Sequence, residues 1–345
     1  MKKIFALILA AAMVLALVAC GGGSTSAPAT SSTPAESSTS TESSAPAEAA
    51  PAASADAVKI TLATGGTSGT YYAVGGVLGT VLGPKLTLSE LSVESTGASK
   101  ANVNMITDGE AQMAILQSDV INYAHNGTNT FEGEVEDSAL WIAGIYNETV
   151  QILAKPGIKN VSDLKGKTVC VGDVGSGTEV NAWQVLGAAG LTKDDIKVVN
   201  GSFQDGVDQL KDGKIDAAFT VAGAPTTAIV DYATTNELNL VSLSDTELAA
   251  IREQYPFLVQ DNLPVGTYTG QTEEIVCVAV QAALVASKDL SEDVVYEITK
   301  GMFDNKADLE AGHAKFGFLD AKVASVGTVP LHPGAEKYYK EIGVL

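Results

Sequence analysis

Two stretches of the chain place hydroxyls, glycines and backbone amides where together they can hold an anion. One is Thr61-Leu62-Ala63-Thr64-Gly65-Gly66-Thr67-Ser68-Gly69-Thr70. The other is Thr168-Val169-Cys170-Val171-Gly172-Asp173-Val174-Gly175-Ser176-Gly177-Thr178. Each reads as a buried strand, a glycine-rich turn, Ser-Gly-Thr and the start of an amphipathic helix. A glycine turn feeding a helix start presents unpaired N–H groups and the positive end of the helix dipole. That is an anion pocket built without charged side chains. Two such pockets in successive α/β units predict two lobes closing on one small acidic molecule.

Other chemistries fit these residues poorly. Gly166-Lys167-Thr168 has the ending of a phosphate-binding P-loop, but Val161 stands where the earlier glycine is required, and the run leads into a strand. Neither turn has GxGxxG spacing, and neither Ser68 nor Ser176 sits in G-x-S-x-G. Asp173 and Glu179 flank the second turn as a potential carboxylate pair. Ser176 and Glu179 have the spacing of a capping box, and Asp173 is a turn former, so both are explained without acid–base work. His125, His313 and His332 are scattered, and no Cys/His group has metal spacing. No catalytic residue, no metal and no cofactor is expected.

The elements that must position these turns alternate. Strands are expected at 59–63, 91–94, 112–116, 169–172, 196–199, 215–219, 238–243 and 275–286. A long apolar strand covers 140–145 and 150–154, interrupted by Tyr146-Asn147-Glu148. Helices are expected at about 70–81, after Ser99, after Asp119, at about 177–189 (with Ala182, Val185, Leu186 and Ala189 on one face), at 203–211, from Pro225 as a helix-start proline, at 245–253, and from Ser291 and Pro333. Gly75, Gly76 and Gly79 thin one face of the first helix for close packing. Such alternation means parallel sheets with helices on both faces, and ligands then sit beyond the carboxyl ends of the strands. The loops there are 65–69, 95–99, 117–119, 172–177 and 223–225, all small and polar.

Residues 1–20 read as a secretory leader: Lys2 and Lys3, an apolar run from Ile4 to Ala19, then Leu17-Val18-Ala19-Cys20 before Gly21. That ending resembles a bacterial lipobox, in which Cys20 becomes the lipidated first residue. Residues 21–57 hold Gly, Ser, Thr, Ala, Pro and Glu with a single Asp, no apolar side chain large enough for a core, and read as a disordered tether. The expected location is the outer face of the cell membrane, secreted and lipid-anchored. The 345-residue chain carries a net charge of −20, which disfavours nucleic acid and anionic lipid and makes capture of an acid a local matter. Cys170 and Cys277 lie in apolar runs and read as buried thiols; a disulfide would require their strands to lie side by side. The only arginine, Arg252, falls in 245–253, expected as a charged helix with polar residues all round it, and is expected to face solvent, so no arginine clamp for a carboxylate is expected.

Taken in order, Gly66-Thr67-Ser68-Gly69-Thr70-Tyr71-Tyr72, Ser95-Thr96-Gly97-Ala98-Ser99, Gln117-Ser118-Asp119, Gly175-Ser176-Gly177-Thr178-Glu179 and Pro330-Leu331-His332-Pro333-Gly334-Ala335 resemble the TAXI family, solute receptors of tripartite ATP-independent periplasmic (TRAP) transporters. Val265-Gly266-Thr267-Tyr268 and 290–296 are similar to further family segments, so the resemblance spans 58–345. It implies an α/β type II periplasmic-binding-protein fold: two parallel-sheet lobes, a hinge and a ligand cleft between the lobes. Chain crossings near Tyr146 and Glu274 would make lobe 1 of 58–146 with 274–345 and lobe 2 of 147–273. The implied ligand is an acidic amino acid or dicarboxylate such as glutamate or 2-oxoglutarate, handed by a monomeric receptor to TRAP membrane permease subunits. The implied ligand site is Thr67, Ser68, Gly69 and Tyr72 from one lobe, Gln117 and Tyr146 near the hinge, and Ser176, Gly177, Thr178, Gly223 and Pro225 opposite. Two other roles share this fold: the binding protein of an ATP-driven importer of sulfonates or thiamine-like compounds, and an extracellular sensor presenting ligand to a histidine kinase.

Overall fold

The computed structural model describes residues 57–345; the leader, Cys20 and nearly all of the tether lie outside them. The described chain runs β1 (Val58–Ala63), α1 (Thr70–Leu82), β2 (Ser89–Glu94), α2 (Ser99–Thr107), β3 (Met113–Gln117), α3 (Ser118–Asn126) and β4 (Ala139–Ala154). There follow β5 (Thr168–Cys170), α4 (Gly177–Ala188), β6 (Lys197–Val199), α5 (Phe203–Lys211), β7 (Ala217–Ala222), α6 (Thr227–Thr235), α7 (Asp245–Gln254), β8 (Val259–Leu263) and β9 (Ile275–Ser287). Four helices close the chain: α8 (Glu292–Asp304), α9 (Lys306–Gly312), α10 (Ala321–Ala324) and α11 (Pro333–Glu341).

The strand order is β2-β1-β3-β9-β4-β7-β5-β6, with β8 also paired to β9. Within each half β1 pairs parallel with β2 and β3, and β5 with β6 and β7, while β9 adds antiparallel to β3 and β4 antiparallel to β7. The halves are joined by the long antiparallel pair β4–β9, which a parallel-sheet reading does not include. Strand β4 runs unbroken for 16 residues through Tyr146-Asn147-Glu148. The expected interruption there is absent because Tyr146 and Glu148 turn to the same face and are both buried.

The cores change at this junction. Ile145 and Tyr146 of β4 pack with Ile60, Leu62 and Tyr339 in the first half, whereas Val150 and Ile152 pack with Val169, Val185 and Phe219 in the second. On β9, Val278 and Val280 belong to the second core and Ala282 and Leu284 to the first. The change of core on β9 thus falls at Gln281, which pairs with Asn147. Helices cover the opposite sheet faces too: Trp141 and Phe131 anchor one cluster, and Leu153, Leu210 and Tyr232 another.

Several sequence expectations are corrected. Residues 238–243 do not form a strand; Leu240 makes a single bridge to Leu153. Strand β8, unforeseen, pairs with the first part of β9. Helix α7 is not polar all round: Leu248 and Ile251 are buried in the second core, one turn apart, while Arg252 faces outward and its guanidinium donates to Gln260 Oε1. Pro225 does not start a helix: α6 begins at Thr227, with Thr226 in the N-cap position and no side-chain cap bond. Gly75 is the glycine that lets α1 approach the sheet, since a Cβ there would lie 2.7 Å from Thr64 Cγ2; Gly76 faces open space. Cys170 and Cys277 are buried free thiols.

Candidate functional site

The two glycine turns face one another. Gly69 is the N-cap of α1 and Gly177 the first residue of α4, and both line one cavity with Gln117, Ser176 and Thr178. The first two amides of α4 have no carbonyl a turn earlier to receive them, and both residues, Gly177 and Thr178, are buried at this cavity. Ser176 caps α4, its Oγ accepting from Glu179 N–H at 3.1 Å. The Glu179 carboxylate accepts from Gly175 N–H at 2.7 Å instead of from Ser176, so only half of the expected capping box forms. Its pull holds the glycine turn in place.

The first turn is built differently. Gly69 caps α1 without any side-chain bond, so neither Thr67 nor Ser68 serves as the cap. Thr67 is exposed, Ser68 half-buried, and neither lines the cavity. Tyr72 is exposed as well; the neighbouring Tyr71 is the one that points inward, one turn before Val74 on the buried face of α1. Of the remaining expected residues, Tyr146 and Pro225 line a second cavity of about 560 Å³ with Lys315 and Asp261. Gly223 stands between the two cavities: Thr70 Oγ1 donates to its carbonyl at 3.0 Å, and a Cβ on it would meet Lys315 Cε at 2.6 Å and Tyr146 Cε2 at 3.1 Å. The eleven expected residues thus divide: Gly69, Gln117, Ser176, Gly177 and Thr178 come together, and six do not join them.

What the sequence reading missed is Glu148. It lies on β4, is 1 % exposed, lines the first cavity, and accepts from Tyr71 Oη–H at 2.6 Å. Burial pushes its carboxyl well above the usual range; the Tyr71 bond opposes this, and the Asp119 carboxylate adds to it. Burial likewise raises Tyr71 and Tyr146, with Glu148 contributing to both. Asp119, buried behind the site on α3, rises to about 6, chiefly through burial, despite bonds from Asn181 and Val120. The lining contains two carboxyl groups, Glu148 and Asp173, and no lysine or arginine.

The halves touch across the cleft. Besides Thr70–Gly223, Lys100 N–H donates to Gly175 O at 3.3 Å, and Gln117 presses on Gly177, where an added Cβ would lie 2.0 Å from its Oε1. The enclosed volume is about 40 Å³, room for roughly one to three waters. A solute larger than that enters only when the halves separate.

The family model for NMT1-like proteins matches residues 62–343. The chain belongs to the NMT1-like family. Solved structures are similar to this NMT1-like chain in fold. A protein of Bordetella bronchiseptica RB50 aligns at 14% identity with a TM-score of 0.50, covering 84% of this chain and 90% of that one. The substrate-binding protein of an amino acid ABC transporter aligns at 11% identity and 0.46, over 75% of this chain and 98% of that one. The GluR0 ligand-binding core with L-glutamate aligns at 11% and 0.47, over 76% and 98%. The architecture is the α/β type II periplasmic-binding fold, two α/β halves joined by a pair of crossing strands. Among the described residues no helix is long and apolar enough to cross a membrane, and no group of His, Cys, Asp or Glu could hold a metal ion.

The contact between Gln117 and Gly177 makes a specific prediction. Gly177→Ala puts a methyl where Gln117 Oε1 lies, so the Gln117 side chain, buried in the cleft, must leave its place before the cleft can close around a solute. The variant should bind at least about tenfold more weakly, on the order of 1.4 kcal/mol. A titration giving affinity within threefold of the parent would remove Gly177 from the site.

Proposed function

We propose that this protein is an extracytoplasmic solute-binding protein for a membrane transporter, and that the cleft between the two halves of its sheet is the solute site. The observation that carries this is the pair of glycine turns, one from each half, meeting at a buried cavity where hydroxyls, Gln117 and Glu148 stand beside Tyr71, Phe203 and Val221. An enclosed site at the carboxyl ends of parallel strands is where such sheets bind ligands. The solute is small and carries a carboxylate, received by the Gly177 and Thr178 amides at the positive end of α4. The ordered motifs that resemble TAXI receptors support a TRAP permease as the partner, with Cys20 as a lipid anchor holding the receptor at the membrane. Residues 58–146 and 281–345 act as one lobe and 147–280 as the other, hinged at β4 and β9.

A thermal-shift screen of the purified protein against amino acids, dicarboxylates and sulfonates tests the site. A solute at a hundredfold its Kd should add about 2.7 kcal/mol of stability. Small-angle scattering should show a smaller radius of gyration when that solute is bound. No stabilisation by any member of the three classes would defeat the proposal. The partner is tested by uptake in cells: a TRAP system loses uptake when an ionophore collapses the ion gradient, whereas an ATP-driven importer, the alternative partner, does not.

A further inference from the structure

The unfilled hydrogen-bonding groups of the cleft are of two kinds, and they adjoin. On one side are acceptors. Glu148 uses only Oε1, taken by Tyr71, and Gln117 Oε1 is buried with no donor at all, on a residue that is 2 % exposed. On the other side are donors, the first amides of α4 at Gly177 and Thr178. Gln117 Oε1 lies against Gly177, so this acceptor and the α4 donors are separated by no more than neighbouring groups on a small molecule, and Glu148 lines the same cavity. Buried polar groups are rarely left unpaired, and an ionised buried carboxylate requires a partner of opposite charge.

The protein does not supply that charge. The titratable groups around Glu148 are Tyr71 on α1, Asp119 on α3, Tyr146 on β4 and Asp173 before α4, all neutral or acidic. Lys100 Nζ is taken up by Thr130 O and the Phe131 ring. Lys315 borders the other cavity, with Nζ over Phe318. Neither forms an ion pair with Glu148.

We propose that Glu148 and Gln117 seat a protonated amine of the solute while the start of α4 holds its carboxylate, so that the receptor selects α-amino acids over the corresponding amine-free acids. An ammonium has three donors and no acceptor, which matches Glu148 and Gln117 Oε1. An α-amino acid carries its ammonium and carboxylate on one carbon, which matches their closeness to the Gly177 and Thr178 amides. A 2-oxo acid of the same skeleton brings only a further acceptor to face Gln117 Oε1 and Glu148. The assignment rests on the cleft being the solute site.

Calorimetry on the purified protein tests it with the proteinogenic L-amino acids and their 2-oxo acid counterparts, glutamate against 2-oxoglutarate among them. The amino acid that binds should do so at least a hundredfold more tightly than its 2-oxo partner. Glu148→Gln should weaken it by thirtyfold or more. Burial favours the protonated form of Glu148 in the empty cleft and a solute ammonium favours its carboxylate, so any proton exchanged when an amino acid binds should be a release, read without any variant from heats in buffers of different ionisation enthalpy. Binding of 2-oxo acids as tight as that of amino acids, without proton release, would overturn the assignment while leaving the cleft as the site. Glu148 would then keep its proton and donate a hydrogen bond to the solute. Binding by neither class would overturn this assignment, and the cleft reading falls with it only if the dicarboxylates and sulfonates of the thermal-shift screen also fail to stabilise the protein.

Discussion

Gly334→Ala should destabilise the fold by on the order of 3 kcal/mol, because the methyl has nowhere to go. Gly334 lies in the first turn of α11, which packs on α8. A Cβ there would sit 2.3 Å from Glu292 O, 2.6 Å from Tyr296 N and 2.9 Å from Val295 Cβ. The first two are backbone atoms of α8 and cannot swing aside, so the helices must separate. Separation disturbs the aromatic group beneath: Tyr338 stacks on Phe303 at 5.3 Å, Phe303 meets Tyr339 edge-on at 5.8 Å, and Tyr339 Oη–H donates to Ile142 O at 3.0 Å. Overpacking of this kind costs about 1–3 kcal/mol or more. Urea denaturation with an unchanged m value measures it; a loss below about 0.5 kcal/mol would contradict the packing role. The same segment explains why Pro330–Ala335 stands out as a motif without touching the cleft. Trp141 N–H donates to Pro330 O and His332 N–H to Trp141 O, tying the segment to β4. His332 Nδ1 accepts from Gly334 N–H at 3.2 Å, so its proton sits on Nε2, which reaches Leu290 O.

The alternation of strands and helices was legible because each element carries its own period. Helix α5 appears with its expected bounds, fixed by the Ser202–Asp205 capping box and the Asp212 cap. The second glycine turn was legible for a similar reason, as Ser176 caps α4 through local spacing alone. What failed were statements about which way a residue points. Tyr71 and Tyr72 are adjacent, about 100° apart around a helix. The inward set Val74 and Leu78 continues the Tyr71 row, so periodicity favours Tyr71, whereas the motif alone does not distinguish the two. In α7, Leu248 and Ile251 make the same one-turn pair, hidden among charges.

Glu148 was lost for a different reason. A lone carboxylate between two apolar runs reads as a break in a strand. Its burial depends on Tyr71, brought from 77 residues away, and on the crossing of β4 with β9 at that point. No local pattern carries that information. Strand β8 is similar: of its five residues only Leu263 is buried, and its strand conformation comes from pairing with β9.

Asp119→Asn should make the protein more stable at neutral pH and change its response to acid. Asp119 is 0 % exposed, and burial lifts its pKa from the ordinary 3.8 to about 6. The native chain therefore holds this proton more tightly than the unfolded chain does. Its neutral form suits the fold, so this group burdens stability least below about pH 4. The burden grows as pH rises to about 6 and is constant beyond, at roughly 3 kcal/mol for about two units. An asparagine side chain is neutral throughout. It loses one acceptor, since the carboxylate receives both Val120 N–H at 2.8 Å and Asn181 Nδ2–H at 3.0 Å. Asn181 Oδ1 is buried without a donor beside it, and a rotated Asn181 amide can take a bond from the introduced side-chain amide. The variant should thus be level with or slightly below the parent near pH 4 and above it by on the order of 2 kcal/mol at pH 7. Glu148 adds to the difference in the same direction, because removing the Asp119 charge removes one cause of its own upward shift. Urea midpoints measured for both proteins from pH 4 to 7 decide this. Parallel curves, with the same offset at every pH, would mean that Asp119 titrates as it does in the unfolded chain and that its burial is compensated.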